Sequence, residues 1–327
     1  MNLDFFKNNN ISVDLAIEAH DIVRGQLETE IPGAVVDRHN YENATVTVVK
    51  IVEPQAAQMM GKPIGTYITI DAPAIRDNNR VAQKEVAEIL AAQLSSLFNL
   101  PENANVLLVG LGNWQATPDS LGPRVVDQTI VTRHLYKYAP EELQGGMRSV
   151  SALAPGVLGI TGIETAEIIK GVVEKIQPDL IVAIDALAAG SVERIGSTIQ
   201  LADTGVSPGS GIGNKRTGIN KETMGVKTIA IGVPTVVHAA VIAQVTSEHF
   251  LEKLQQNPMF SQIYNNLSPD YAQDVINSVL APFAGNLMVT PKEIDDLILS
   301  TSKIIAGGVS MALHPAINAE QYSMYLN

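Results

Sequence analysis

The chain contains no cysteine. Disulfides, thiol nucleophiles, iron–sulfur clusters and thiolate zinc sites are excluded together, and the absence fits a reducing compartment. No apolar run reaches the roughly 18 residues of a membrane span. The best candidate, residues 228–245, is broken by Gly232, Pro234 and His238. The opening residues Met1-Asn2-Leu3-Asp4-Phe5-Phe6-Lys7 lack the charged-then-apolar order of a secretory signal. A cytoplasmic protein without a membrane partner is expected. Positive charge is scarce, with 22 Lys plus Arg against 34 Asp plus Glu and a net charge of −12. Such a surface repels phosphate backbones, so direct nucleic-acid binding is not expected. There is no internal repeat, no low-complexity linker and no Walker loop.

What is present suits a folded chain. Hydrophobic residues make up 46% and charged residues 17%, too apolar a mixture for disorder. A length of 327 residues allows one large α/β domain with a substantial core. Residues 1–13 are polar and read as a mobile extension. Leu15, Ile17, Ala19, Ile22 and Val23 give a partial helical stripe over 14–27. Residues 45–52 and 66–70 alternate as strands and are expected to pair. Residues 80–99 carry an amphipathic helix with Val81, Val86, Ile89, Leu90, Leu94 and Leu97 on its apolar side.

From residue 105 the texture changes. Residues 105–109, 179–184 and 226–232 are continuous apolar runs, the signature of strands buried on both faces of a parallel sheet. Helices are expected within 120–135 and over 163–176, and the part beyond about 234 reads as mostly helical. Thr290 and Pro291 suit a helix start. Strand–helix–strand order with such strands predicts an α/β fold, a mostly parallel sheet flanked by helices, with insertions.

In open α/β sheets, sites form beyond the carboxyl ends of the strands. Two apolar runs lead into carboxylates, one through Gly110-Leu111-Gly112-Asn113-Trp114 to Asp119, the other directly to Asp185. If both strands are parallel, the two aspartates leave one sheet edge and face one crevice. Two close carboxylates share a proton, because both cannot ionise cheaply. One then activates water as a base, and the other protonates the carbonyl oxygen or the leaving amine. The competing reading of an aspartate after a strand is a helix N-cap, and Asp119 precedes an expected helix. Asp185 is harder to explain that way, since a carboxylate ending a buried strand needs partners or a task.

The segment Gly110-Leu111-Gly112-Asn113-Trp114 with Thr117-Pro118-Asp119-Ser120-Leu121-Gly122-Pro123 closely resembles the signature of the germination protease family. So do Glu222-Thr223-Met224-Gly225-Val226 with the run 229–237, Asp203-Thr204-Gly205 with the run 207–214, and Asn286-Leu287-Met288-Val289-Thr290-Pro291 with residues 292–295. The likeness covers nearly the whole chain in order. It implies a fold like that of hydrogenase-maturation endopeptidases and an atypical aspartic endopeptidase with Asp119 and Asp185 as its catalytic pair. It also implies small acid-soluble spore proteins as substrates, a homo-oligomer, expected to be a tetramer, in the spore core, and no cofactor. The family is made as a zymogen that loses an N-terminal propeptide by self-cleavage. It cuts after an acidic residue followed by an apolar residue, Ala, any residue and Glu; Asp14-Leu15-Ala16-Ile17-Glu18 has that form. Residues 1–14 are thus the expected propeptide and 15–327 the peptidase domain, with the cut between Asp14 and Leu15. Asp14 also suits the cap of a helix starting at Leu15.

Cations are expected where acidic substrate positions bind; Arg124, Lys215 and Arg216 stand near the motifs. A single Asp203-Thr204-Gly205 triplet does not make a pepsin-like enzyme, which needs two on β-rich lobes, and Asp203 reads as a loop residue. Gly209 to Gly213 reads as a flexible loop, not a phosphate cradle, since Arg216 stands where a third glycine belongs. Two alternatives stay open. One is a metal-dependent maturation peptidase using Asp119, Asp185 and His238. The other is a non-enzymatic binding module.

Overall fold

Val, Ile and Thr dominate the segments that become strands, because branched side chains suit a pleated, half-buried surface. The computed structural model describes residues 5–6, 9, 11–27, 29–77, 79–138, 146–207, 216–256, 271–283 and 286–325. Its strands are β1 (Ala34–Asn40), β2 (Thr45–Ile51), β3 (Gly65–Asp71), β4 (Asn105–Gly110), β5 (Ser149–Leu153), β6 (Leu180–Ala189), β7 (Thr198–Ala202), β8 (Thr228–His238) and β9 (Met288–Val289). They form one sheet in the order β1-β2-β3-β7-β8-β6-β4-β5, with β9 on β8.

The expected α/β architecture, a central sheet flanked by helices, is present. Strands β5, β4, β6 and β8 run parallel. Strands β1, β2, β3 and β7 are antiparallel to their neighbours, and β7 joins this meander to β8. The parallel order therefore covers half of the sheet, not most of it. The meander can face water on one side, and β1 is exposed along nearly its whole length. That exposure, and the short or polar character of β5, β7 and β9, hid these strands in the sequence.

On one face, helices Arg80–Ser96, Leu121–Gln128 and Ile294–Leu313 bury Val86, Leu90, Leu121, Val125, Ile305 and Val309 against Leu108, Ile184, Leu201 and Ile231. On the other face, helix Thr165–Ile176 covers Leu107, Val109, Ile181 and Ala183. Further along that face, helix Ala16–Leu27 covers Tyr67, Leu187, Ala202 and Ala230. The site lies between these last two clusters. Helix Ile294–Leu313 has the length and apolarity of a membrane span, and 67% of its most apolar window is buried inside the protein.

Several local expectations are corrected. Val81, expected on the apolar side of its helix, is 78% exposed. Strand β8 runs on to His238, and the following helix starts at Ala239. Thr290 and Pro291 precede a helix that begins only at Ile294; the Thr290 hydroxyl instead donates to the Thr235 carbonyl at 2.9 Å. Asp185 lies inside β6, which extends to Ala189. The N-terminal segment is not merely a polar tail. Phe5, Phe6 and Ile11 are buried with Val237, Val241, Ile276 and Leu280.

The approach of Leu121–Gln128 to the sheet depends on glycine. A β-carbon at Gly122 would collide with the backbone of Leu111 and come within 2.6 Å of the Ile184 carbonyl oxygen. All of these are main-chain atoms that cannot move aside. Gly122→Ala is predicted to lower stability by about 1–3 kcal/mol through overpacking. A drop in the urea midpoint, together with lost activity, is the expected result; an unchanged midpoint would show that the backbones separate freely.

Candidate active site

Strand β4 stops at Gly110, level with Ile184 of β6. The chain then turns through Gly112, whose φ of +113° suits glycine; a β-carbon there would collide with the Asp119 carbonyl oxygen. The Asn113 N–H donates to that carbonyl at 3.0 Å and to the Asp119 carboxylate at 2.8 Å. Asp119 closes a short 3₁₀ turn, Thr117–Asp119, and Ser120 occupies the N-cap position of helix Leu121–Gln128. The carboxylate is thus tied back to the glycine loop and does not cap the helix.

Beyond Ile184, no strand among the described residues pairs with the edge of β6 that faced β4. A bare edge offers N–H groups that need acceptors. Three are used by carboxylates. The Ala186 N–H donates to Asp185 Oδ1 at 3.0 Å. The Ala188 N–H donates to Asp14 Oδ2 at 3.0 Å, just past a register shift between Leu187 and Ala188. The Gly190 N–H donates to Glu18 Oε2 at 2.9 Å. Asp14 also accepts from the Ser12 hydroxyl at 3.2 Å. The segment predicted to be cut, Asp14 to Glu18, is therefore laid along β6 beside Asp185, with Leu15 fully buried.

The electrostatics follow from this crowding. Burial pushes Asp185 well above the ordinary carboxylate range, and the neighbouring Asp119 and Asp14 charges push it further, against the Ala186 N–H. Burial raises Asp119 too, opposed by the Asn113 N–H and by Arg216. Burial raises Glu18 to about 7, opposed first by the Gly190 N–H and then by Arg194. Asp119 and Asp185 thus share one electrostatic site and bias each other toward a single negative charge.

The remaining candidates are placed as follows. Arg216 is the cation that acts on Asp119. Arg124 donates to the Ser120 hydroxyl at 3.1 Å and stacks over Trp114 at 5.3 Å, so it braces the loop and holds neither Asp14 nor Glu18. Lys215 and the run 208–214 lie outside the described residues. Asp203 accepts from the Thr66 N–H at 2.8 Å, a loop-fixing role, while Thr204 and Gly205 line a cavity of about 240 Å³ with Ser12, Asp14 and Gly232. His238 stands six residues beyond Gly232, the partner of Asp185 in β8, or about 20 Å along the strand. Its Nδ1 accepts from the Ala240 N–H at 3.1 Å. Among the described residues no three acidic, His or Cys side chains are grouped to hold a metal, so His238 does not fit a metal set with Asp119 and Asp185.

Three residues were missed in the sequence. Arg194 Nε lies 3.5 Å from Glu18 Oε1 and its guanidinium also donates to Asp71 at 2.6 Å. Lys62 Nζ and Gln200 Nε2 donate to the main-chain carbonyl of Asp14 at 2.8 and 3.3 Å. No motif marks them, since each is brought in by a distant element.

The comparisons with known proteins agree with the motifs. The family model described as germination protease matches residues 14–262 and 244–326. A germination protease of Clostridium perfringens is 48% identical over 323 residues, covering 97% of this chain and 99% of that one. One of Caldanaerobacter subterraneus subsp. tengcongensis is 46% identical, covering 97% and 98%. One of Bacillus subtilis is 40% identical, covering 96% of each. Among solved structures, the [NiFe] hydrogenase maturation protease HycI of Thermococcus kodakarensis KOD1 covers 68% of this chain and 98% of its own, at 17% identity and a TM-score of 0.34. That likeness is too distant to carry an argument. The α/β fold and the sequence relatives together define a peptidase. The chain belongs to the germination protease family.

The raised Asp185 carboxyl has a consequence for stability. A carboxyl held above its unfolded value resists ionisation in the folded chain. It therefore costs stability as pH rises past the unfolded value, up to the folded one. Asp185→Asn is predicted to raise the urea midpoint at about pH 7, and the gap should close below about pH 4. An equal or lower midpoint at neutral pH would mean that Asp185 ionises easily where it stands.

Proposed function

We propose that this chain is an atypical aspartic endopeptidase, made as a zymogen that cuts itself between Asp14 and Leu15 and then degrades small acid-soluble spore proteins. The observation that carries the reading is the placement of Asp14 on the free edge of β6, where its charge acts directly on Asp185. The four residues after Asp14 are Leu15, Ala16, Ile17 and Glu18, and Glu18 has its own pair of partners in Gly190 and Arg194. A substrate carrying an acidic residue before the cut and a glutamate four positions after it would use the same donors.

The chemistry needs one proton shared by two carboxyls. The ionised member of the Asp119–Asp185 pair takes a proton from water as the water oxygen bonds to the carbonyl carbon. The protonated member gives its proton to the leaving nitrogen as the C–N bond breaks. One proton remains on the pair, now on the other carboxyl. The proposal extends to a homotetramer, for which the exposed apolar stripe Tyr271, Val275, Val279 and Phe283 is a suitable surface, and to the spore core. The acidic balance of the chain supports recognition of the substrate protein apart from nucleic acid.

Intact mass after incubation at mildly acidic pH, where a singly protonated pair is populated, tests this. The wild type is expected to lose residues 1–14. Asp119→Asn and Asp185→Asn should slow that loss about 100- to 10,000-fold. Equal shortening of all three would remove both aspartates from the mechanism, and no shortening of the wild type would favour a non-enzymatic module.

A further inference from the structure

The proton pair leaves one charge unaccounted for. When water adds to a peptide carbonyl, negative charge collects on its oxygen, and fixed donors aimed at that oxygen lower the barrier. Asp119 and Asp185 are occupied with water and the leaving nitrogen.

The main-chain carbonyl oxygen of Asp14 accepts two hydrogen bonds from side chains far away in sequence. Lys62 Nζ donates at 2.8 Å and Gln200 Nε2 at 3.3 Å. Gln200 also reaches past the bond: its Oε1 accepts from the Ala16 N–H at 2.6 Å. A single amide side chain thus grips the chain on both sides of the Asp14–Leu15 linkage and fixes its register.

The sheet explains why these groups converge. Asp185 of β6 is the register partner of Gly232 in β8, and Gly232 is the register partner of Gln200 in β7. Register partners carry their side chains on the same face. Asp185 and Gln200 therefore stand on one face, two strand spacings or about 10 Å apart, and because Gly232 between them has no side chain, the Leu187 side chain packs over it. Asp14 bonds to both outer strands: its carboxylate accepts from the Ala188 N–H of β6 and its main-chain carbonyl from Gln200 Nε2 of β7. Lys62 comes from the turn after helix Pro54–Met60, whose C-cap is Gly61, and the Tyr67 hydroxyl fixes that turn by donating to the Pro63 carbonyl at 2.8 Å.

Resting on the cut between Asp14 and Leu15 proposed above, we infer that Lys62 and Gln200 are catalytic residues that hold the scissile carbonyl oxygen and stabilise the oxyanion. Neither gains or loses a proton in the cycle. They donate hydrogen bonds that strengthen as charge develops on the oxygen and relax when the new carboxyl leaves. An ammonium is a stronger donor than a neutral amide, so Lys62 carries the larger share. Burial pulls its ammonium below the ordinary lysine range, while the carboxylates of Asp14 and Glu18 act to keep it charged.

The test follows first-order self-cleavage of the full-length chain by intact mass at mildly acidic pH. Wild type, Lys62→Met, Lys62→Arg, Gln200→Leu and Asp185→Asn are compared, each with its urea midpoint. Lys62→Met and Gln200→Leu are expected to slow release of residues 1–14 about 100-fold. Lys62→Arg, which keeps a charged donor, should recover at least a tenth of the wild-type rate. A wild-type or faster rate in Lys62→Met or Gln200→Leu would overturn the assignment while leaving the aspartate pair in place. No recovery by Lys62→Arg at an unchanged midpoint would also overturn it. Failure of the underlying reading looks different: the wild type is then not cut between Asp14 and Leu15, or Asp185→Asn is cut as fast.

Discussion

The early end of β4 is the constraint on which the site depends. Because β4 stops at Gly110, level with Ile184, the upper part of β6 has no strand among the described residues on that side. Unpaired backbone N–H groups on a buried edge must find acceptors. Here the acceptors are carboxylates, from Asp185 itself, Asp14 and Glu18. The space that β4 vacates is filled by the glycine loop, which delivers Asp119. One early strand end thus leaves both the edge that holds Asp14 and Glu18 and the room that brings the charge of Asp119 to Asp185.

Crowding so many carboxyls in a buried place carries an electrostatic cost, and the surrounding cations offset it unevenly. Arg216 acts on Asp119, Arg194 on Glu18, and Lys62 on both Asp14 and Glu18. Among the described residues, the groups that act on Asp185 are the Asp119 and Asp14 carboxylates and the Ala186 N–H, with no cation. That asymmetry separates a carboxyl that keeps its proton from one that gives it up more readily, as the proposed hydrolytic pair would need. The N-terminal segment takes part in the same balance. Anchored through Phe5, Phe6 and Ile11, it keeps the charge of Asp14 in the site.

Strands β4, β6 and β8 of the parallel half were legible because they are continuous apolar runs, and Asp119 and Asp185 stood out because each follows one. The pentapeptide from Asp14 to Glu18 stood out by its form alone. The meander was harder to read. Strand β1 is almost wholly exposed, and β7 is five residues long with a glutamine at its centre. Gln200 looks like an ordinary outward residue until the pairing of β7 with β8 places it opposite Gly232. Arg194 and Lys62 lie on connecting turns, where a single charge usually means a solvated surface. Their roles come from long-range register, which local pattern does not encode. The polar look of residues 7–10 likewise hid two buried phenylalanines just before them.

Carboxyl-carbon NMR of aspartate-labelled full-length chain, titrated through the acidic and neutral range, tests most directly that Asp119, Asp185 and Asp14 form one coupled site. Asp185 should stay protonated well above the ordinary carboxylate range, and its transition should move to lower pH in Asp119→Asn and again in Asp14→Asn. An Asp185 resonance that titrates at an ordinary value, and that neither substitution moves, would contradict the account.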